Sequence, residues 1–295
     1  MAFLSPHKDT LLKLLSLFSL TRAYNILVLI TAQYLTARYI LSQELSWSTL
    51  LLDPYFFCLV LATALSTAAG YIINNFYDAA KDQINRPRKY ILEHLLSQKV
   101  HLTMCLLLNT AALISASVLS FKALLFFLFY IFSIGLYSTV IKRLFWLSNL
   151  FSALLMILPF WAITLYFKNF EALIFYHASY LFLLLFARDI VKDLENFKGD
   201  WVQSYQTLPV VFDHRVTKGI CIVILMLCFI PASLLWQKDI GFMYYYFILS
   251  IPYLSVVSLV LMFAHSQKAY LWVHNLIKLW ILVGVVSIAL SGQNI

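Results

Sequence analysis

Nine apolar runs, at about residues 20–43, 53–76, 100–117, 120–137, 148–167, 171–190, 218–236, 241–264 and 272–291, constrain this chain more than any other feature. Each is close to the length a helix needs to cross a bilayer. In hydrocarbon no water completes the backbone's hydrogen bonds, so a spanning segment satisfies them within itself as a helix or by closing into a barrel. The runs are too long and too weakly alternating for barrel strands. The expected fold is all-α: a polytopic membrane protein with about nine transmembrane helices.

Composition agrees. Of 295 residues, 62% are hydrophobic and 12% charged, against about 25% charged in an ordinary soluble domain. A soluble globule of this size has too little interior to hide so much apolar surface. Basic residues such as Lys81, Arg86, Lys89, Lys142, Arg188, Lys192, Arg215 and Lys218 fall on one side of the expected spans, whereas the other side receives Arg38, Lys122, Lys168 and Lys238. The positive-inside rule then places the N-terminus in the cytoplasm and the chain in the cell's inner, cytoplasmic membrane. The net charge of +8 sits in membrane-adjacent segments, where anionic headgroups or a phosphorylated substrate explain it better than nucleic acid. The opening "MAFLSPHKDTLLKLLSLFSL" reads as a retained amphipathic lead-in rather than a signal peptide. Cys58, Cys105, Cys221 and Cys228 form no CxxC pair, so neither a disulfide nor a zinc site is expected.

The second run ends in "YIINNFYDAAKDQINRPRKY", which puts Asn74, Asp78 and Asp82 four residues apart, on one helix face. Such acids are solvated or paired with Lys81 and Arg86, or they hold a divalent cation. All-oxygen donors favour magnesium over zinc. Pro87 bends or stops the helix so that Arg86, Arg88 and Lys89 can turn back over the acids. Acid for metal beside base for phosphate is the arrangement expected around a Mg²⁺-diphosphate. The sixth run repeats it in "FARDIVKDLENFKGDW", with Asp189 and Asp193 four apart and Arg188, Lys192 and Lys198 beside them. Two acidic pairs on one membrane side can share a diphosphate and face the cytoplasm.

Other polar residues are open to two readings. Tyr137 at the exit of the fourth run, with Lys142 and Arg143 after it, suits either an interfacial belt or diphosphate binding. Arg22 and Asn25, one turn apart at the start of the first run, suit headgroups or an anionic acceptor. His177, His214 and His274 lack metal-ligand spacing and read as structural or interfacial.

With these motifs in place, the chain resembles the UbiA-type membrane prenyltransferases over essentially its whole length. Their first motif is NDxxDxxxD followed by an NRP-type loop, and "NNFYDAAKDQINRP" matches it with Asn75 in place of the second-position acid. "DIVKDLENFKGD", "TLPVVF", "YSTVIKR" and the Ser148–Asn149 pair resemble later family segments. The resemblance implies one domain over 1–295, with nine helices around a central cavity. It implies a polyprenyl diphosphate donor held through Mg²⁺ by Asn74, Asp78, Asp82, Asp189 and Asp193, with Asn149 at the substrate. It implies that an acceptor attacks C1 of the prenyl chain as diphosphate departs. "TRAYN", "RDIVKDLENFKGD" and "TLPVVF" look closer to the branch that adds a second geranylgeranyl group to geranylgeranylglycerol phosphate; 4-hydroxybenzoate or another aromatic quinone or pigment precursor is the alternative acceptor. A transporter is the competing class, but its charges would have to form a route across the membrane.

Overall fold

A computed structural model of the chain describes residues 6–291, with side chains from Leu11 onward. Among these the structure is helical throughout and contains no strand. In chain order the helices are α1 (Pro6–Leu20), α2 (Ala23–Thr36), α3 (Trp47–Leu52), α4 (Pro54–Asn85), α5 (Pro87–Glu93), α6 (Gln98–Leu119), α7 (Phe121–Thr139), α8 (Leu147–Phe167), α9 (Ala172–Val202), α10 (Leu208–Leu227), α11 (Phe229–Trp236), α12 (Met243–Phe263) and α13 (Gln267–Ser287). Eight helical segments are long and apolar enough to span a bilayer, and a ninth is counted if the bent pair Leu11–Leu20 and Ala23–Leu41 is one span. The chain is a multi-pass membrane protein.

The first span departs from its expected form. The sequence suggests one helix over 20–43, but the chain breaks at Arg22, where φ is 50°, and the two arms meet at 50°. A single π-helical turn, Ala37–Leu41, then ends the second arm. Of the lead-in, residues 1–5 lie outside the described residues. Its remainder is α1, whose Leu11, Leu14, Leu15 and Phe18 are exposed.

The two longest polar segments between apolar runs, 77–99 and 189–217, are largely helical. α4 runs on to Asn85, and α9 to Val202. Arg86 leaves the helical region before Pro87, with φ of −144° and ψ of 62°, as the proline ring disfavours helix in the residue before it, and α5 restarts at once with that proline at its first turn. In α10 the backbone turns at Asp213, whose Oδ1 accepts from the amides of Arg215 (2.7 Å) and Val216 (3.0 Å). That side chain caps a new helical start, so the spanning part begins near the expected residue 218.

Two compact units are distinguishable. The first takes residues up to Ile30 together with Phe57–Val140. In it α5 packs on α1, and α6 packs on α7 across a hinge of one residue, Ser120, whose Oγ caps α7 through the Ala123 amide at 3.1 Å. Gly70 lets α4 meet Ile134 of α7: a Cβ there would lie 3.0 Å from the Ile134 side chain. The second unit takes Thr31–Phe56 and Ile141–Ile295. There α9 packs against α8, α10, α11 and α13. The most enclosed spans are α4 and α9, with 56% of the apolar window buried in each, whereas α6 has 17%. These two helices carry the acidic pairs.

Close packing in the second unit centres on Trp280 of α13. Tyr246 and Tyr253 stack on its ring at 4.8 and 4.2 Å, and its indole N–H donates to Tyr180 Oη at 2.9 Å. Gly284 completes the fit, because a Cβ there would come within 2.6 Å of Tyr246 Oη. Gly284→Ala is expected to destabilise the protein by the ~1–3 kcal/mol typical of overpacking, read in detergent as a lower apparent melting temperature. Adding Tyr246→Phe, which removes the nearest clashing atom, should recover part of the loss, and a thermal denaturation series over the variants checks this.

Candidate active site

The first unit places Asn74, Asp78 and Asp82 on the last turns of α4. All three are half-buried, and the Asn74 amide donates to Asp78 Oδ2 at 2.8 Å. Arg22 sits at the α1–α2 break, its guanidinium 4.7 Å from the Tyr71 ring of α4. The Asn25 backbone N–H donates to the Arg22 carbonyl at 2.8 Å, which starts α2. Lys89 of α5 lies 3.4 Å from Glu93 and within electrostatic reach of Asp82, Arg22 and Arg86. Burial, and after it the Arg22 guanidinium, push the Lys89 ammonium below the usual lysine range.

The second unit builds its pair on α9. Asp189 and Asp193 are 4% and 9% exposed. The Asn149 amide at the start of α8 donates to Asp193 Oδ2 at 2.7 Å, while its own Oδ1 is buried with no hydrogen-bond partner. Arg188 Nη2 lies 3.3 Å from Asp189 Oδ1 and reaches Met156 Sδ of α8. Lys192 is half-buried one turn further on. Lys142 is 6% exposed, with its ammonium 6.0 Å from the Tyr205 ring, so it is an enclosed cation rather than a member of an interfacial belt. Arg143 fits the belt reading: it is exposed, over the same ring at 5.5 Å. Tyr137 is half-buried at the end of α7 in the first unit.

The turn after α9 is fixed by its own sequence. Tyr205 N–H donates to the Asp200 carbonyl at 2.9 Å, Gln206 N–H to the Arg143 carbonyl at 3.1 Å, and Thr207 Oγ1 reaches Asp200 Oδ2 at 3.5 Å. Thr207 then begins α10 with Pro209 in its first turn. The TLP segment thus ties α9 to α10 directly behind the second acidic pair.

Two groups escaped the sequence reading. His274 Nδ1 of α13 pairs with the buried Glu195 of α9 at 2.9 Å. The residues are 79 positions apart, so no local spacing announces them. Glu93, in what looked like a polar connection, is 1% exposed and hydrogen-bonded to Ser19 and Asn75. A lone acid in a charged stretch gives no signal of burial.

The donors are all oxygens, which suits a hard cation. Among the described residues no three Asp, Glu, His or Cys side chains gather at metal-binding distance. Magnesium keeps several waters and is held by one or two carboxylates together with substrate phosphates, not by an all-protein cage. The unpartnered Asn149 Oδ1 beside Asp193 adds a neutral oxygen to the set.

The sequence profile of the UbiA prenyltransferase family matches residues 32–282. The chain belongs to the UbiA prenyltransferase family. Digeranylgeranylglyceryl phosphate synthase of Methanosphaera stadtmanae is 28% identical over 216 residues, covering 73% of this chain and 75% of that protein. The Haloquadratum walsbyi enzyme of the same name is 30% identical over 179 residues, 58% of this chain and 62% of its own length. Against that second relative the chain spans less than two thirds of the partner's length. Among solved structures, one of digeranylgeranylglyceryl phosphate synthase in membranes superposes with a TM-score of 0.67 over 95% of this chain and 98% of the other, at 16% identity. A UbiA homologue from Archaeoglobus fulgidus bound to DMAPP and Mg²⁺ gives 0.67 over 93% and 99%, at 14% identity. At those identities the structures establish the shared fold.

Within this prenyltransferase, Asn149→Ala removes the donor that orients Asp193. Losing such a supporting hydrogen bond costs ~10–100-fold in activity or metal affinity. Turnover of a prenyl diphosphate by the purified variant should fall within that range, with yield and monodispersity unchanged.

Proposed function

We propose that the protein transfers a geranylgeranyl group from its diphosphate to geranylgeranylglycerol phosphate, acting as a single prenyltransferase domain over 1–295 in the cytoplasmic membrane, its acidic pairs facing the cytoplasm. The observation that carries this reading is the match to relatives named as digeranylgeranylglyceryl phosphate synthases, at 28% and 30% identity over most of the chain. Asp78 and Asp82 are assigned to Mg²⁺ and diphosphate, and Asp189 and Asp193 are assigned the same chemistry within their own unit.

Bound Mg²⁺ supplies charge neutralisation on the departing diphosphate. The chain's own residues do the rest. Asn74 and Asn149 hold Asp78 and Asp193 in fixed orientations, at 2.8 and 2.7 Å, so oxygen anions are aimed before substrate arrives. Arg86, Lys142, Arg188 and Lys192 offer positive charge to the phosphates. The apolar helix faces exclude water from the electron-poor allylic carbon as its bond to oxygen breaks. A hydroxyl of the acceptor then forms the new ether bond at that carbon and gives up its proton. Arg22 and Asn25, at the break between α1 and α2, are assigned to the acceptor's phosphate.

One assay tests donor, metal and acceptor together. Purified protein receives labelled geranylgeranyl diphosphate with equal geranylgeranylglycerol phosphate and 4-hydroxybenzoate, and products are identified by mass. A doubly prenylated glycerol phosphate, lost with EDTA and restored with Mg²⁺, is expected. Asp78→Asn and Asp193→Asn should each cut turnover ~100-fold or more, and Arg22→Ala should raise KM for the acceptor more than for the donor. Exclusive ring prenylation would replace the acceptor with an aromatic one. Full activity in either aspartate variant, or indifference to EDTA, would remove the diphosphate-holding role.

A further inference from the structure

Glu93 belongs to neither acidic pair, yet it is 1% exposed at the end of α5. Its Oε1 accepts from the Ser19 hydroxyl of α1 at 2.7 Å and lies 3.4 Å from Lys89 Nζ, and its Oε2 accepts the Asn75 amide of α4. An enclosed carboxylate is costly unless donors fill its lone pairs. Here the donors come from three helices that all belong to the first unit.

Asn75 is itself 6% exposed and adjoins Asn74, whose amide donates to Asp78. Successive helical residues are separated by about 100° around the axis. Anchoring residue 75 therefore fixes the direction in which residues 74, 78 and 82 point. The contact also dictates the residue type. An amide donates a hydrogen bond to Glu93, whereas a carboxylate at position 75 would set two buried acids against each other. Position 75 is where the family motif writes an acid and this chain has Asn.

We infer that Glu93 is a positioning residue for the first acidic helix, and that the negative charge which the motif writes at position 75 sits on α5 in this protein, with Asn75 as its donor. The pair sets the rotation of α4, and the same carboxylate meets Lys89 at 3.4 Å. The inference rests on the prenyl-transfer reading only for the ligand that Asp78 and Asp82 meet.

The test is a cycle of wild type, Asn75→Asp, Glu93→Gln and the double variant. Two quantities are read on each purified protein: the apparent melting temperature without metal, and the Kd for geranylgeranyl diphosphate with Mg²⁺, measured well below every melting point. Asn75→Asp places acid against acid, and is expected to weaken donor binding ~10–100-fold and to lower the melting temperature. In the double variant the amide introduced at position 93 can donate to the carboxylate introduced at position 75, while its oxygen accepts from Ser19. Both readouts should then return, with Kd within about threefold of Glu93→Gln alone, as for two residues in direct contact. Wild-type behaviour in Asn75→Asp, or a double variant no better than Asn75→Asp, overturns the exchange. Recovery of melting temperature without recovery of Kd makes Glu93 a purely structural group and overturns its positioning role. If the wild type binds no prenyl diphosphate, the prenyl-transfer reading falls, and the melting cycle alone decides the Asn75–Glu93 pair.

Discussion

An ionised carboxylate taken out of water loses several kcal/mol of solvation, and inside an apolar helical protein that loss is offset only where donors converge on it. Both compact units are organised around this requirement. In the second, Asp193 takes the Asn149 amide from α8, and Glu195 takes His274 from α13. In the first, Glu93 gathers Ser19, Asn75 and Lys89 from α1, α4 and α5. The helix contacts that hold each unit together are in part the contacts that give its buried carboxyl groups their hydrogen-bond partners. A substitution at one of these donors therefore acts on packing and on chemistry at once.

Helix length puts the acids where such donors can reach them. At 1.5 Å per residue, the 32 residues of α4 and the 31 of α9 extend about 46–48 Å, against a hydrocarbon core of roughly 30 Å. Each helix is apolar in its first part and continues unbroken beyond it. The excess length carries Asp78 with Asp82, and Asp189 with Asp193, on backbone whose hydrogen bonds remain intrahelical. Catalytic groups on continuous helix are held more tightly than groups on a loop, since each residue's direction is set by the turns before and after it. The connections nearest the acids are short: Arg86 alone separates α4 from α5, and the five residues 203–207 between α9 and α10 are closed by Asp200 and Thr207.

The apolar runs made the helices legible, because membrane spans are a matter of length and composition. The i,i+4 aspartates were legible for a similar reason: the pattern is local and the helical period fixes its meaning. What depended on distant residues was not. Glu195 and His274 share no pattern along the chain, and Glu93 looked like one more charge in a basic stretch until α5 brought it against Asn75. The break at Arg22 was hidden too. Neither Gly nor Pro marks it, and the chain accepts φ of 50° at an arginine, a conformation that costs ~1–2 kcal/mol in a residue with a Cβ. Lys142 is open to two readings by position, and its enclosure, with Tyr205 of the α9–α10 turn 6.0 Å from its ammonium, depends on residues far along the chain. Asn149 could be singled out by family likeness, but its bond to Asp193 requires α8 and α9 side by side.

The strain at Arg22 and the state of Lys89 point the same way. Strained residues persist where surrounding structure over-determines them, and they cluster at functional sites. Here the break brings the Arg22 guanidinium over Tyr71 and into electrostatic reach of Lys89, with Arg86 close by. Three cations so placed repel one another. The Lys89 ammonium registers the cost: burial first and Arg22 next push its proton affinity down, against the opposing pull of Glu93 and Asp82. The same fold that keeps Glu93 buried and turns Asn75 towards it also holds Lys89 at 3.4 Å from Glu93, so acid and base meet within the first unit.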